Sequence, residues 1–175
     1  MAVAGRRLAS VAEITVVRAG VERLDELVGF WKLLHRHQSS VAAAVPGLDV
    51  LSESDSSVIV GKMDREWLSG PDSFAFFAEE EGRLVGYVVG FYDEPHFMWS
   101  TGRVGHIDSF YVMPELRGRG VGRLLMDAAY AEMRQAGATT VALEMVANNH
   151  LAQKFYEREG FTTTFVQLHR RLGPD

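Results

Sequence analysis

Residues 111–123 read Tyr-Val-Met-Pro-Glu-Leu-Arg-Gly-Arg-Gly-Val-Gly-Arg. A β-rich run, Val104–Val112, precedes them, and apolar residues at helical spacing follow them, which predicts a strand, a turn and a helix start. Glycines at 118, 120 and 122 allow positive φ and leave room for a ligand close to the backbone. The first turn of a helix offers free N–H groups and a positive dipole end, so this turn is predicted to bind phosphate.

Two common phosphate loops do not fit this stretch. A P-loop requires Lys-Ser or Lys-Thr after its last glycine, and neither follows here. A dinucleotide fingerprint requires Gly-x-Gly-x-x-Gly, but Arg123 stands at the third glycine position, and the run lies past the middle of the chain. The pattern that remains is Arg117-x-x-Gly120-x-Gly122.

The composition of the 175 residues is that of one globular domain with a substantial core. The chain has no cysteine, which excludes disulfides, thiolate catalysis and zinc–thiolate sites. Its net charge of −5 argues against broad nucleic-acid binding, and it has no apolar run of the roughly 20 residues that a membrane span needs. We expect a loose tail over residues 1–12, a single domain over 13–172, and a cytoplasmic location.

The rest of the chain predicts strands and helices in a recognisable order. The predicted strands are Glu13–Arg18, Ser73–Glu79, Arg83–Phe91, Val104–Val112, Thr139–Val146 and Phe161–Leu168. The predicted helices are Val21–His37, Ser57–Ser69, one from the glycine-rich turn to Ala136, and one from a cap at Asn148 or Asn149 to Glu159. Residues 39–55 are expected to be irregular. This order indicates an α/β fold with one mixed sheet and helices on both faces.

A second signature lies in residues 143–161, in which Leu-Glu-Met is followed by Asn149-x-x-Ala152-x-x-x-Tyr156 and then by Gly-Phe at 160–161. Together with the Arg-x-x-Gly-x-Gly turn, this resembles the GNAT-type N-acetyltransferases, which bind acetyl-CoA. Met145 departs mildly from the valine that is commoner at its position. The resemblance covers roughly Phe74 to Phe161 and implies a single, largely antiparallel sheet that splays centrally to admit the cofactor.

The resemblance also assigns roles to residues. The implied cofactor-binding residues are Tyr111, Val112, Arg117, Gly118, Arg119, Gly120, Val121, Gly122, Arg123 and Asn149. Tyr156 is implied to be the general acid that protonates the departing thiolate, and packing of an ordinary buried aromatic is the structural alternative. A phenol, with a pKa of about 10, and a thiol, with a pKa of about 8.5, are suited to such an exchange.

The general base is open between two carboxylates. An alkyl ammonium resembles lysine, so making the free amine at pH 7 costs about 4.6 kcal/mol. Glu144 stands where some family members have a glutamate base, and Asp108 lies on the partner strand, on the side of His106 and Phe110 by period two. A third possibility is that solvent deprotonates the amine.

The acceptor is a small-molecule or peptide amine that the sequence does not identify. Residues 21–69 and the loop 93–102 are expected to shape its site, with His35 and His37 at its border. Phe97, Met98 and Trp99 are expected to line that pocket or the face of a homodimer. No metal is expected, because the two histidines are two apart and do not share a helix face. The alternative function is a non-catalytic acyl-CoA-binding, regulatory or interaction module.

Overall fold

The structure is a computed structural model that describes residues 13–43, 45, 50–94 and 102–169. The strands of this part of the chain are β1 (Ile14–Ala19), β2 (Ser73–Glu80), β3 (Arg83–Asp93), β4 (Val104–Val112) and β5 (Thr140–Leu143). The α-helices are α1 (Leu24–Ala42), α2 (Glu53–Leu68), α3 (Val121–Gln135) and α4 (His150–Arg158). The predicted tail, the end of the predicted domain after His169 and the aromatic loop with Phe97, Met98 and Trp99 lie outside the described residues.

The sheet has the order β1-β2-β3-β4-β5, with antiparallel pairs except for the parallel pair β4–β5. Helices α1 and α2 cover one face through Leu27, Leu34 and Trp67, and α3 covers the other through Leu125 and Met133. Burying one such side chain contributes about 1.5–3 kcal/mol, so both faces add to the stability of the sheet. The predicted mixed, largely antiparallel sheet with helices on both faces is confirmed.

The parallel ladder between β4 and β5 is short. It pairs Val104 with Thr140 and ends where Ile107 pairs with Leu143. Strand β4 continues for five more residues, to Val112, and stays paired only with β3. The backbone edge of β4 that faces β5 is therefore open from Asp108 onward, which is the central splay that the resemblance implies.

A β-bulge lies at the point where this opening begins. Val89 of β3 pairs with Ser109, and the next residue, Gly90, pairs with Ile107, so Asp108 has no partner on β3. A bulge puts one extra residue into one strand and reverses the alternation of faces beyond it. Period two therefore fails here, and the predicted grouping of Asp108 with both His106 and Phe110 is wrong. His106 stacks on Phe91, on the face of α2, whereas Phe110 belongs to the core under α3.

Two helices begin or end elsewhere than predicted. Helix α1 runs to Ala42 instead of ending near His37, because no proline or glycine follows His37 before Pro46. Helix α2 begins at Glu53, four residues before the prediction, because the Ser52 hydroxyl accepts a hydrogen bond from the Asp55 N–H. This Ser-x-x-Asp cap was visible in the sequence.

The end of the chain differs from the prediction more strongly. Strand β5 stops at Leu143 instead of Val146, and the described residues 161–169 contain no strand. Val166 and Leu168 are 75% and 89% exposed. Their β-forming side chains predicted a strand, but the residues do not join the sheet. The sequence pattern reports local preference, and a strand also needs a neighbour to pair with.

Gly90 is expected to be intolerant of a side chain, because it lies opposite the bulge. A Cβ at this position would collide with the His106 carbonyl oxygen and the Phe74 ring. We expect Gly90→Ala to lower the free energy of unfolding by about 1–3 kcal/mol, measured by urea denaturation. The control is Gly29→Ala in α1, where a Cβ would meet nothing within 4 Å, and which should stabilise by about 0.5–1 kcal/mol. Equal effects of the two substitutions would contradict this account of the bulge.

Candidate functional site: an open strand edge and an anion-binding turn

The turn between β4 and α3 presents a row of unpaired backbone N–H groups. Gly118 and Gly120 have φ of 76° and 89°, and the space beside both is open to 4 Å. The N–H groups of Gly118, Gly120, Val121, Gly122 and Arg123 donate to none of the described residues. The first N–H groups of a helix have no partner inside it, so this turn and the start of α3 offer five donors to an anion.

The three arginines of the turn already have partners. Arg117 Nε donates to the Val112 carbonyl at 3.0 Å, which fastens the end of β4 to the turn. Arg119 lies 3.5 Å from a carboxylate oxygen of Glu80. Arg123 pairs with Asp127 at 3.1 Å and lies 3.5 Å from Glu159. The side chains therefore shape the turn, and the donors that remain uncommitted in it are those of the backbone.

The third glycine serves packing. A Cβ on Gly122 would lie 3.3 Å from both the Phe110 and Phe155 rings. These two rings stack with their centroids 5.4 Å apart. The absence of a side chain at this position lets α3 approach the strand and α4. Glycine at 122 therefore allows close packing, whereas glycine at 118 and 120 allows a positive φ.

The two residues predicted as alternative caps of α4, Asn148 and Asn149, have different roles. Asn149 is buried, and its side-chain oxygen accepts from the Ala152 N–H at 3.2 Å, so Asn149 is the cap. The Asn148 amide instead donates to the Val41 carbonyl at 2.8 Å. This bond links the residue before the cap of α4 to the last turn of α1.

Tyr156 lies on α4 among the rings of Phe110, Phe155 and Phe161, with centroid distances of 6.4, 5.4 and 5.6 Å. Burial raises the pKa of Tyr156 well above its usual value, and the nearby Tyr130 raises it further. The phenol is therefore held protonated at neutral pH. This is the state that a proton donor must have, and it lies next to Phe110 of the open strand.

The two candidate bases lie at the same level of the opening. Asp108 and Glu144 are the first residues beyond the last ladder pair, Ile107 and Leu143, one on each strand. Neighbouring protein atoms shield the Asp108 carboxyl from water and raise its pKa, although the residue as a whole is exposed, and a hydrogen bond from Ser109 partly opposes this shift. Glu144 is exposed as well. Both carboxylates that the sequence left as alternatives therefore follow the last pair of the ladder.

A third acidic residue, Asp64, was missed in the sequence. It lies on α2, is only 2% exposed, and has its pKa raised to about 7, first by burial and then by the charge of Asp108. The sequence could have indicated its burial, because Asp64 lies four residues after Val60 and three before Trp67, on the apolar side of the helix. A carboxylate at such a position is usually paired, and an unpaired one reports an unusual environment.

The histidine predictions have a partial outcome. Burial, followed by the charge of Arg117, lowers the pKa of His37, so the second half of α1 lies close to the anion-binding turn. The ring of His35 contacts that of Trp31 in a tilted arrangement, with the centroids 5.0 Å apart. Whether either borders an acceptor site stays a prediction. Among the described residues, no three His, Asp or Glu side chains are grouped closely enough to hold a metal ion.

The open strand, the turn and the second signature all lie in one recognised family region. The acetyltransferase (GNAT) family matches residues 48–161. The chain therefore belongs to this family, and the resemblance found in the sequence is confirmed. The match begins earlier than the Phe74 expected from the motifs and includes all of α2.

Two similar proteins show how far the likeness extends. An uncharacterised N-acetyltransferase of Methanocaldococcus jannaschii is 36% identical over 96 residues, which are 54% of this chain and 56% of that protein. The N-alpha-acetyltransferase 30 of Schizosaccharomyces pombe is 31% identical over 120 residues, 69% of this chain and 75% of that protein. The aligned region is thus little more than half of the first relative.

Solved structures show the same fold. The structure of AAC(6')-Iy in complex with the bisubstrate analogue CoA-S-monomethyl-acetylneamine has a TM-score of 0.69 and 20% identity, with 93% of this chain and all of that chain covered. At this identity the likeness establishes the fold. No helix among the described residues is long and apolar enough to cross a membrane.

The buried carboxyl of Asp64 should make stability depend on pH. Its folded-state pKa of about 7 exceeds the unfolded value of about 3.9, so the folded protein holds this proton more tightly. As pH rises from about 4 to about 7, the free energy of unfolding should fall, by up to about 4 kcal/mol. Asp64→Asn should remove this decline.

Urea unfolding at about pH 5 and about pH 8 measures this difference. Glu66→Gln, an exposed substitution on the same helix, should retain the decline of the unchanged protein. If Asp64→Asn retains it as well, Asp64 is ionised in the folded protein throughout this range.

Proposed function

We propose that this protein transfers the acetyl group of acetyl-CoA directly to an amine. The observation that carries the proposal is the continuity of the open β4 edge, from Asp108 to Val112, with the five free N–H donors that follow it. Along this line, a long ligand with an anionic middle and an amide-bearing arm would find N–H donors for the anion and free strand backbone for the amides. The structure of AAC(6')-Iy with a CoA analogue supports a CoA ligand for this fold.

The residues fit such a ligand in a definite order. The backbone donors from Gly118 to Arg123 would hold the pyrophosphate. The arm would then run back along β4, with its amides paired to the free backbone from Val112 toward Asp108. Four residue steps of a strand cover about 13 Å. The reactive end would therefore lie near Asp108 and Glu144, where the ladder closes. Tyr111 and Asn149 would flank the arm.

Tyr156 would donate a proton to the departing thiolate. Its phenol remains protonated at neutral pH because burial raises its pKa, and its ring contacts Phe110 on the strand along which the arm would run. When acetyl-CoA is bound, its thioester supplies the activated acyl group. The chain has no cysteine for an acyl-enzyme thioester, so direct attack by the amine is the consistent route.

The base is proposed from the same pair of carboxylates, with Glu144 as the family-based candidate and Asp108 as its rival. The raised pKa favours Asp108, because such a carboxyl accepts a proton more readily near neutral pH. Glu144 is exposed, as Asp108 is, and would reach the amine through water. Deprotonation by solvent, without either residue, is the third route.

The acceptor would be a small-molecule or peptide amine. Support for these two classes comes from the similar N-alpha-acetyltransferase 30 and from AAC(6')-Iy, which was solved with the bisubstrate analogue CoA-S-monomethyl-acetylneamine. A cytoplasmic location, the lack of a nucleic-acid partner and a homodimer stay predictions. The homodimer prediction rests on the aromatic loop outside the described residues. The alternative function, a non-catalytic acyl-CoA-binding module, would retain the turn without turnover.

Binding through the pyrophosphate predicts a selective thermal shift. A ligand at about 100 times its dissociation constant stabilises the folded state by about 2.7 kcal/mol, so acetyl-CoA should raise the melting temperature and pantetheine should do so much less. Gly120→Val should abolish the shift, because its side chain would fill the open space beside the N–H donors. The control is Gly137→Val, at another glycine of positive φ with open space beside it, after α3.

The control carries the same backbone strain, so it should lower the starting melting temperature but keep the acetyl-CoA shift. Equal shifts from acetyl-CoA and pantetheine would disprove the pyrophosphate contact. A normal acetyl-CoA shift in Gly120→Val would move the binding site away from this turn.

The acid and the base should differ in their pH dependence. Tyr156→Phe keeps the ring but removes the proton donor, so kcat should fall about 10²- to 10⁴-fold with little change in acetyl-CoA affinity. The loss in Glu144→Gln should shrink as pH rises, because more of the amine is then already neutral. The measurement is the rate of CoA thiol release against pH for each variant, with an amine found by screening.

Asp108→Asn distinguishes the two bases. If this variant shows the pH-rescued loss and Glu144→Gln matches the unchanged protein, the base is Asp108. If neither carboxylate matters, solvent deprotonates the amine. Acetyl-CoA binding without thiol release for any amine would favour the non-catalytic module.

A further inference from the structure

Three polar groups from three elements meet on the α1/α2 face of the sheet, beside the opening. They are Asp64 of α2, Asp108 of the bulge in β4, and the hydroxyl of Tyr87 in β3. Trp67, one turn after Asp64 on α2, contacts Phe91 of β3, which pairs with His106 of β4 beside the bulge, so this part of α2 lies over the bulge. Burial raises the pKa of Tyr87 and of Asp64. The charges of both carboxylates raise that of Tyr87 further, and the charge of Asp108 raises that of Asp64 further. Two carboxylates held together without a cation repel each other, and this arrangement is costly unless a ligand relieves it.

The Tyr87 hydroxyl gives independent evidence of an unfilled partner position. Tyr87 is 0% exposed, and its hydroxyl makes no hydrogen bond to a described residue. Ser109 of β4 lies beside this phenol and lowers its pKa, in opposition to the effect of burial. A buried hydroxyl without a partner costs about 1–3 kcal/mol. Its acceptor lone pairs and the two carboxylates all favour the same kind of ligand, a positively charged donor.

Access to this cluster is from the bulge. Within the cluster, Asp108 is exposed to solvent, whereas Asp64 is buried. No cation among the described residues lowers the pKa of either carboxyl, although arginines pair with several other carboxylates of this protein. The described part of the chain thus supplies no positive charge to this cluster.

We propose that Asp64, Asp108 and the Tyr87 hydroxyl bind the ammonium group of the acceptor, so that the acceptor is an aliphatic amine that arrives as a cation. This inference rests on the proposed acetyl transfer, because it places the ammonium beside the end of the open strand where the thioester would lie. Asp64 is the inner anchor for the charge, and Asp108 lies between that anchor and solvent. Aromatic amines, which are neutral at physiological pH, lack the feature that the pocket recognises.

Binding can be tested without turnover. The probes are ethylamine and benzylamine, each compared with the alcohol of the same skeleton, by thermal unfolding of the full chain at neutral pH. The amines should raise the melting temperature of the unchanged protein and of Glu66→Gln, the exposed control on α2. They should not raise that of Asp64→Asn, and the alcohols should have no selective effect. Equal amine shifts in Asp64→Asn and the unchanged protein, or equal shifts from amines and alcohols, would overturn the proposal.

Kinetics give the second measurement, with an aliphatic amine that releases CoA thiol. Asp64→Asn should raise the KM of the amine about 10- to 100-fold, as expected for a lost charged hydrogen bond, and leave the KM of acetyl-CoA unchanged. Tyr87→Phe keeps the packed ring, so it should raise the KM of the amine in the same direction even if Asp64→Asn folds poorly. A parallel rise in both KM values, or a preference for aromatic amines, would show that the cluster is structural.

The proposed acetyl transfer and the proposed cation site can be disproved separately. If no amine is acetylated but alkylammonium ions still stabilise the protein through Asp64, the proposed transfer fails and the cation site remains. If amines are acetylated and Asp64→Asn binds them as the unchanged protein does, the transfer remains and the cation site fails.

Discussion

The early end of the β4–β5 ladder is the constraint on which the rest of the structure depends. After Ile107 and Leu143 the two strands no longer pair, and a strand edge inside the sheet exposes backbone groups that want partners. In most sheets such an edge is covered or charged. Here it leads directly into a turn whose own N–H groups are also unpaired. Apart from the Val112 carbonyl, which accepts from Arg117, the strand edge and the turn form one line of unpaired backbone groups, at a cost in stability that the proposed ligand would offset.

The bulge at Asp108 connects this line to the opposite side of the sheet. In a strand without a bulge, Ile107 would lie on the same face as Ser109 and Tyr111. The bulge instead leaves Asp108 without a partner on β3, at the level where the opening starts. The proposed cation site adds to this carboxylate the buried Asp64 and the Tyr87 hydroxyl. In that proposal, backbone donors for an anion and carboxylates for a cation would lie at the two ends of one strand segment, about 13 Å apart.

Much of this could be predicted from the sequence, because it depends on local chemistry. The turn, its glycines, the strand Val104–Val112 and the cap at Asn149 follow from residue type and spacing. The bulge could not be predicted, because it is a relation between two strands, and β4 alone reads as regular. The burial of Asp64 likewise depends on which neighbours α2 meets. The segment 161–169 shows the converse, since strand-forming side chains do not produce a strand without a pairing edge. The roles of Tyr156, Glu144 and Asp108 stay predictions from the family pattern.

The bulge also shows which change of length β4 can accept. Ile107 and Ser109 already pair with the consecutive residues Gly90 and Val89, so removal of Asp108 would restore a regular ladder with β3 and leave residues 104–107 on their present faces. Ile107 would stay in the core under α3, and His106 would keep its stacking on Phe91. A one-residue deletion at this position would therefore remove the carboxylate at the opening without exchanging the contents of the two layers, so the extra residue of β4 is one that the packing of the sheet does not require.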